Sequence, residues 1–308
     1  MHFCAGLGGE NGMANTARQF VAEETAAGHE SLLTNEVAAL KCGADVVHIH
    51  GAWLPILWKV AKLAKQSGAK LVIRPAGSYD PVRRRYHGWK KILVAPLEHA
   101  MLDRADVVQA TCAQEAEWIR AYHPSAKVEV IDLRRFFKIE EGCKLPLLGN
   151  KGDGGLHVLY LGRRHPLKGV RYLERAVGEV TADAGSSGKR TGVRFPAGLE
   201  LRLVSNAFGA EKEKVWQWCH VLCLPTLSEN FGRVVAEALE RGKRVIVTDG
   251  APAWEPDEES GCSECSSVLN VRMGYGGRLL YLKGYREGSD ETRVGLLKTA
   301  LGMVWGKC

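Results

Sequence analysis

No run of eighteen apolar residues occurs in the 308-residue chain, so no membrane-spanning helix is expected. The opening residues, MHFCAGLGG, lack the charged stretch and long apolar segment of a secretory signal. Neither half is a polyelectrolyte. Residues 1–150 carry 19 basic and 16 acidic side chains (+3), and residues 151–308 carry 23 and 19 (+4). That balance disfavours a dedicated nucleic-acid binder and leaves room for an anionic ligand or surface. The chain also lacks a short internal repeat and an Asp-x-Asp suited to a metal. Its nine cysteines are odd in number and scattered, several in apolar strand-like runs (Cys4, Cys219, Cys223), so they read as reduced thiols of a cytosolic protein. Cys262-Ser-Glu-Cys265 is a lone C-x-x-C with no second ligand pair, a weak zinc signal.

What is present fits a soluble globular protein: 45% hydrophobic and 25% charged residues, with a length that suggests two domains. Glycine is high, 35 of 308 residues, and the excess sits in short loops after strand-like segments. Short apolar runs alternate with amphipathic stretches, the pattern of a parallel sheet wrapped by helices. Strands are expected over residues 2–5, 31–34, 46–50, 70–74, 107–111 and 127–131, and helices over 13–27, 54–66, 84–102 and 113–122. Pro96 is expected to kink or interrupt the third helix. Residues 138–155 lose periodicity and gain Gly, Pro and charge, as a linker does. The pattern then restarts with strands at 157–161, 199–204, 221–224 and 244–248. Helices follow at 168–183, 211–219, 231–241 and 290–305. The domain reading is therefore 1–140, a linker at 141–155, a second α/β domain at 156–289, and a last helix at 290–308 free to pack back on the first domain.

Three segments carry the chemistry. In Leu224–Leu239, Phe231, Val234, Val235, Ala238 and Leu239 fall on one helical face, and Ser228-Glu229-Asn230 offers polar caps before it. Backbone N–H groups at Phe231, Gly232 and Arg233 would then face outward from a positive helix end, a ready phosphate site. Glu229 precedes the helix and Glu237 lies roughly 9 Å along it at about 1.5 Å per residue. A ligand touching both is long, with a phosphate between two hydroxyl-rich ends, as in a nucleotide sugar. The plainer alternative pairs Glu237 with Arg233 or Arg241 on a solvated face. Second, Arg163 and Lys168 lie in the loop from a strand into a helix, two cations suited to a pyrophosphate or to an ordinary basic surface loop. Third, Gly6-Leu-Gly-Gly-Glu-Asn-Gly12 separates the first strand from the first helix. It is neither G-x-G-x-x-G nor a Walker loop.

Glu229 and Glu237 form an E-x7-E with Asn230-Phe231-Gly232 between them, and this resembles the retaining GT-B glycosyltransferases of family 4. Arg163 and Lys168-Gly169 look like that family's diphosphate clamp. The segments Asp45–Trp53, Arg74–Pro81, Lys90-Lys91 and Ala105–Thr111 with Glu115 resemble its bacterial surface-polysaccharide members.

The resemblance implies a GT-B fold of two Rossmann-like domains facing a cleft. It also implies a metal-independent hexosyltransferase-like enzyme with no cofactor beyond its nucleotide-sugar donor. By position, Glu229 would hold the donor sugar, Glu237 the ribose, and the backbone of Asn230, Phe231 and Gly232 the sugar and phosphate. Arg163 and Lys168 would neutralise the departing diphosphate, Gly8 and Gly9 would approach it, and His50 would lie by the sugar. The implied partners are a glycan or lipid-linked acceptor of surface polysaccharide or lipopolysaccharide synthesis, and no nucleic acid.

Departures from the family pattern fall at Asp132–Phe137, where an Asn-Gly turn is usual, and at 204–225, which is short. Arg83, Arg84, Arg85, Trp89, Lys90 and Lys91 form a basic, aromatic patch suited to an anionic membrane face or an acidic acceptor. A solvated helix start is the plainer reading. The expected location is the cytoplasm, peripheral to the inner face of the membrane. Rival readings are a nucleotide-sugar epimerase, which the E-x7-E disfavours, and a non-catalytic nucleotide-sugar-binding scaffold.

Overall fold

The computed structural model describes residues 1–8, 11–86, 88–140, 155–185, 198–205, 207–256 and 271–305. They form two compact units, Met1–Phe136 and Phe137–Cys308.

The first unit begins β1 (His2–Cys4), α1 (Gly12–Ala26), β2 (Leu33–Thr34), β3 (Val46–His50), α2 (Pro55–Gln66) and β4 (Lys70–Arg74). It continues α3 (Pro81–Arg85), α4 (Gly88–Leu102), β5 (Val107–Ala110), α5 (Ala113–Tyr122) and β6 (Val128–Val130). The strands pair in the order β2-β1-β3-β4-β5-β6, parallel throughout. Strands buried on both faces read as near-continuous apolar runs, and Phe3, Val47, Ile49, Leu71, Ile73 and Val108 are fully buried among the inner faces of α2 and α5. Asn11 starts α1: its Oδ1 accepts from the Ala14 N–H at 2.9 Å, and its Nδ2 closes the glycine loop onto the Gly6 carbonyl at 2.7 Å.

The expected helix over 84–102 is two helices, with the break after Arg85 rather than at Pro96. α4 runs unbroken through Pro96. Pro96 and Ile92 are both exposed, so the Ile92 carbonyl that loses its helical N–H partner faces water.

The second unit comprises β7 (His157–Leu161), α6 (Val170–Gly185), β8 (Glu200–Val204), α7 (Gly209–Trp218), β9 (Val221–Leu224), α8 (Arg233–Glu240), β10 (Arg244–Thr248), β11 (Val271–Gly274), β12 (Leu279–Leu282) and α9 (Asp290–Trp305). The order is β11-β12-β10-β9-β7-β8, parallel except for β11, which runs against β12. The strand pair β11–β12 was absent from the sequence reading. Leu279-Leu-Tyr-Leu282 is too short to separate from a buried helical turn by periodicity. α9 belongs to this unit and packs on α6, where Arg175 meets Glu291 at 2.7 Å and Lys298 meets Glu179 at 3.1 Å. Residues 137–140 also belong to it: Phe137 lies against Phe231 with ring centroids 5.8 Å apart. The expected linker falls almost wholly on 141–154, which with Gly9 and the Cys262/Cys265 pair lies outside the described residues. Cys4, Cys112, Cys219 and Cys223 are free thiols.

Candidate functional site

In the second unit, three chain segments following β7, β9 and β10 are stitched together by backbone. The Leu227 N–H donates to the Leu167 carbonyl at 2.8 Å, and the Glu229 N–H to the Gly250 carbonyl at 2.7 Å. The Thr226 hydroxyl reaches the Leu167 carbonyl at 3.1 Å, while the Thr248 hydroxyl caps the Thr226 carbonyl. The approach is so close that only glycine fits at two positions. A Cβ on Gly169 would stand 1.9 Å from the Pro225 carbonyl oxygen, and one on Gly250 would stand 2.0 Å from that of Thr226. Gly169 also sits at φ +62°, in the left-handed region.

This framework brings Lys168 and Glu229 into an ion pair, both largely buried. Tyr160, near the end of β7, lies close enough to feel both the Glu229 carboxylate and the Arg163 guanidinium. Its hydroxyl donates to the Arg163 carbonyl at 2.7 Å. Burial pushes the Tyr160 phenol well up, with the Glu229 carboxylate adding to the shift and the Arg163 and Arg164 guanidiniums opposing it. The phenol therefore stays a neutral hydrogen-bonding group. The Arg163 side chain is exposed.

α8 starts differently from the sequence expectation. Its cap is Gly232 at φ +67°, not Ser228, Glu229 or Asn230, and no side chain closes the first turn. The left-handed residue lets the chain enter the helix two residues later, with the Val235 N–H on the Gly232 carbonyl at 2.8 Å. A helix end without a capping side chain presents its positive pole outward, which suits an anion. Asn230 and Phe231 are buried, and the Trp254 indole N–H holds the Phe231 carbonyl. Glu237 faces α7, where its carboxylate meets Lys212 at 2.7 Å, and the Arg233 guanidinium on its own helix also lies close enough to feel its charge. The Arg241 guanidinium instead meets Glu213 at 3.2 Å. Lys212 and Tyr160 were missed from sequence. One lies in a run of alternating charge and the other in a strand interior, and neither context sets it apart.

In the first unit, His50 ends β3 inside a buried cluster. Its Nε2 and the His2 Nδ1 lie 2.9 Å apart, its ring stacks on His48 at 4.4 Å, and Phe20 covers the group. The His2 Nε2 meets the Glu24 carboxylate at 2.8 Å. Parallel register builds this, setting His2 opposite His48 and His50 opposite Arg74. Burial holds the His48 and His50 rings well below the usual imidazole range, and the Arg74 charge lowers both further.

Backbone strain gathers at the strand ends nearby. Trp53 and Ala76, neither a glycine, hold φ of 66° and 53° in the loops after β3 and β4. Glu115 ties the neighbouring loops, accepting from Gly77 N–H at 2.5 Å and Thr111 N–H at 2.8 Å. Gly8 lies exposed in the loop after β1. Arg84, Arg85, Trp89 and Lys90 are exposed on α3 and α4, whereas Arg83 and Lys91 are half-buried.

Comparison with known proteins agrees in both units. The Glycosyl transferase 4-like domain matches residues 32–133, and the Glycosyl transferases group 1 domain matches residues 155–265. No curated protein matches the chain. Among solved structures, sucrose-phosphate synthase of Thermosynechococcus elongatus is 16% identical at a TM-score of 0.52, over 87% of this chain and 68% of that one. Anabaena HepE in complex with UDP-glucose is 15% identical at 0.50, over 89% and 80%. An α,α-trehalose-phosphate synthase (UDP-forming) from Burkholderia vietnamiensis is 11% identical at 0.50, over 97% and 72%. At such identities the likeness is one of fold.

Proposed function

The chain is a glycosyltransferase of GT-B architecture, and from that premise we propose that it takes a nucleotide-sugar donor in its second unit and transfers the sugar, with retention of anomeric configuration, to a glycan or lipid-linked acceptor of a bacterial surface polysaccharide. The observation that carries this reading is the Lys168–Glu229 ion pair set beside the uncapped start of α8. Cation, carboxylate and helix pole converge where a diphosphate and its sugar would lie. Departure of the nucleoside diphosphate puts negative charge on its oxygens and positive charge on the sugar. Lys168, Arg163 and the helix pole would stabilise the first, and the largely buried Lys168 and the helix pole, fixed in place, need no reorganisation as the charge forms. Glu229 would hold the sugar, Glu237 the ribose, and His50, neutral through burial, would offer a hydrogen bond beside the sugar rather than a charge. UDP-glucose bound to HepE supports a uridine donor as the first to test. Among the described residues no helix is long and apolar enough to cross a membrane, in keeping with a cytoplasmic enzyme at the membrane face.

The test is a thermal-shift panel of UDP-, GDP- and ADP-sugars, followed by transfer to candidate acceptors. One donor should raise the melting point and release its nucleoside diphosphate only when an acceptor is present. Binding without release under any acceptor would point to a scaffold, and no binding at all would remove the proposal.

A further inference from the structure

His48 and His50 stand two residues apart on β3, so both rings leave the same face of the sheet. Parallel register sets His2 of β1 opposite His48, which brings a third ring to that face. One nitrogen from each ring lies within 4.8 Å of the other two. The His2 Nδ1 and His50 Nε2 atoms are 2.9 Å apart. A tetrahedral ion with imidazole nitrogens at about 2.0–2.1 Å holds those nitrogens about 3.4 Å from one another. The observed separations straddle that value, so small ring movements would close the set on an ion.

The ring protons suit a metal. The His2 Nε2 meets the Glu24 carboxylate at 2.8 Å. A carboxylate only accepts, so Nε2 carries the proton of the neutral ring and Nδ1 keeps a bare lone pair turned toward His50. The Ser31 hydroxyl fixes Glu24 in turn at 2.6 Å. Carboxylates held on the far nitrogen are what orient histidine ligands on metals. Burial lowers all three rings, which keeps them in the neutral form that ligates. The His48 Nε2 and His50 Nδ1 are buried without a hydrogen-bond partner. Histidines serving only as core polar groups are normally satisfied there.

The donor set also selects the ion. Three imidazoles with no clustered oxygen ligand are unsuited to magnesium or calcium and suit zinc. Arg74, opposite His50 in the β3–β4 register, opposes a cation, and the Glu24 carboxylate bonded to His2 offsets it.

We infer that His2, His48 and His50 form a zinc site inside the first unit, with Glu24 as the positioning residue behind His2. The ion would tie β1 to β3, and through Glu24 to α1. This goes beyond the transferase reading, and it is measured without donor, acceptor or turnover.

The experiment uses the full chain without an affinity tag, stripped with a chelator, returned to zinc and desalted. Elemental analysis should find one zinc per chain, and zinc should raise the melting point. E24Q should weaken zinc by roughly 10- to 100-fold, and H2Q and H48Q should each weaken it more. C262S/C265S and H123Q remove the other candidate ligands and should keep the ion. Cobalt substituted into the wild type gives a reading without any mutation: a tetrahedral visible spectrum with no thiolate-to-cobalt band.

No stoichiometric zinc in the wild type, a thiolate band with cobalt, or loss of the ion in C262S/C265S or H123Q would overturn the inference. So would full zinc affinity in folded H2Q and H48Q.

Discussion

The Lys168 ammonium and the Glu229 carboxylate pair across the segments that follow β7 and β9, with only 16 and 18% of their side-chain surfaces exposed. Each neutralises the other in a partly desolvated place, so removing one leaves an uncompensated charge. Lys168→Ala should lower transfer by roughly 100-fold or more, the scale for loss of one fixed group facing developing negative charge. Single-turnover kinetics with a bound donor checks this. A double-mutant cycle with Glu229→Gln should show non-additivity of about 0.5–3 kcal/mol in folding stability, and strict additivity would mean that the pair does not act together.

Glu237 pairs with Lys212 on α7, a helix other than its own. Glu237→Ala should weaken donor binding by roughly 10- to 100-fold, as for loss of a hydrogen bond to a charged group, and leave the fold intact because Glu237 is not in the core. Calorimetric titration with the donor found in the panel measures it. Lys212→Ala should have a much smaller effect. A larger effect at Lys212 than at Glu237 would transfer the ribose role to the lysine.

His48 and His50 are held neutral by burial, and His2 is lowered for the same reason against the pull of Glu24. The unfolded chain takes up protons on these rings below about pH 6.5, and the folded chain does not. Stability is therefore complete above that pH and falls as the pH drops through it, by up to about 1.4 kcal/mol per unit for each ring. Urea midpoints at about pH 7.5 and about pH 5.5 should show this loss, and His48→Gln should make the slope shallower. A flat profile would mean that the rings are solvated.

Gly169 combines a left-handed φ with a carbonyl where its Cβ would be. Gly169→Ala should destabilise the second unit by about 2 kcal/mol or more, since the strained φ alone costs about 1–3. Gly178→Ala is the control: nothing lies within 4 Å of its Cβ, and it should be neutral or slightly stabilising by thermal melt.

Much of the fold was legible because parallel strands buried on both faces write themselves as short apolar runs. β3, β4, β7, β9 and β10 begin and end where the sequence says. α5 and α9 were legible for a different reason, polar residues flanking a helical period. β12 was not, because four apolar residues fit either period, and β11 has no pattern of its own until β12 is beside it. Helix ends set by backbone conformation were equally hidden: α8 is capped by Gly232 although two good capping residues, Ser228 and Asn230, lie shortly before it. The residues proposed for the donor site were singled out by their spacing, yet their partners were not. Lys168 finds Glu229 across 61 residues, and His2 finds His50 across 48. Such pairs are created by strand order, which no local window contains.

The backbone lacing of Leu167, Thr226, Glu229 and Gly250 has a consequence for how the proposed donor would be received. Three separate stretches of chain are fastened into one block before anything arrives, so little of the binding free energy goes into ordering them. Affinity at this block should therefore respond to changes in side-chain chemistry and be nearly indifferent to agents that stiffen or loosen loops elsewhere.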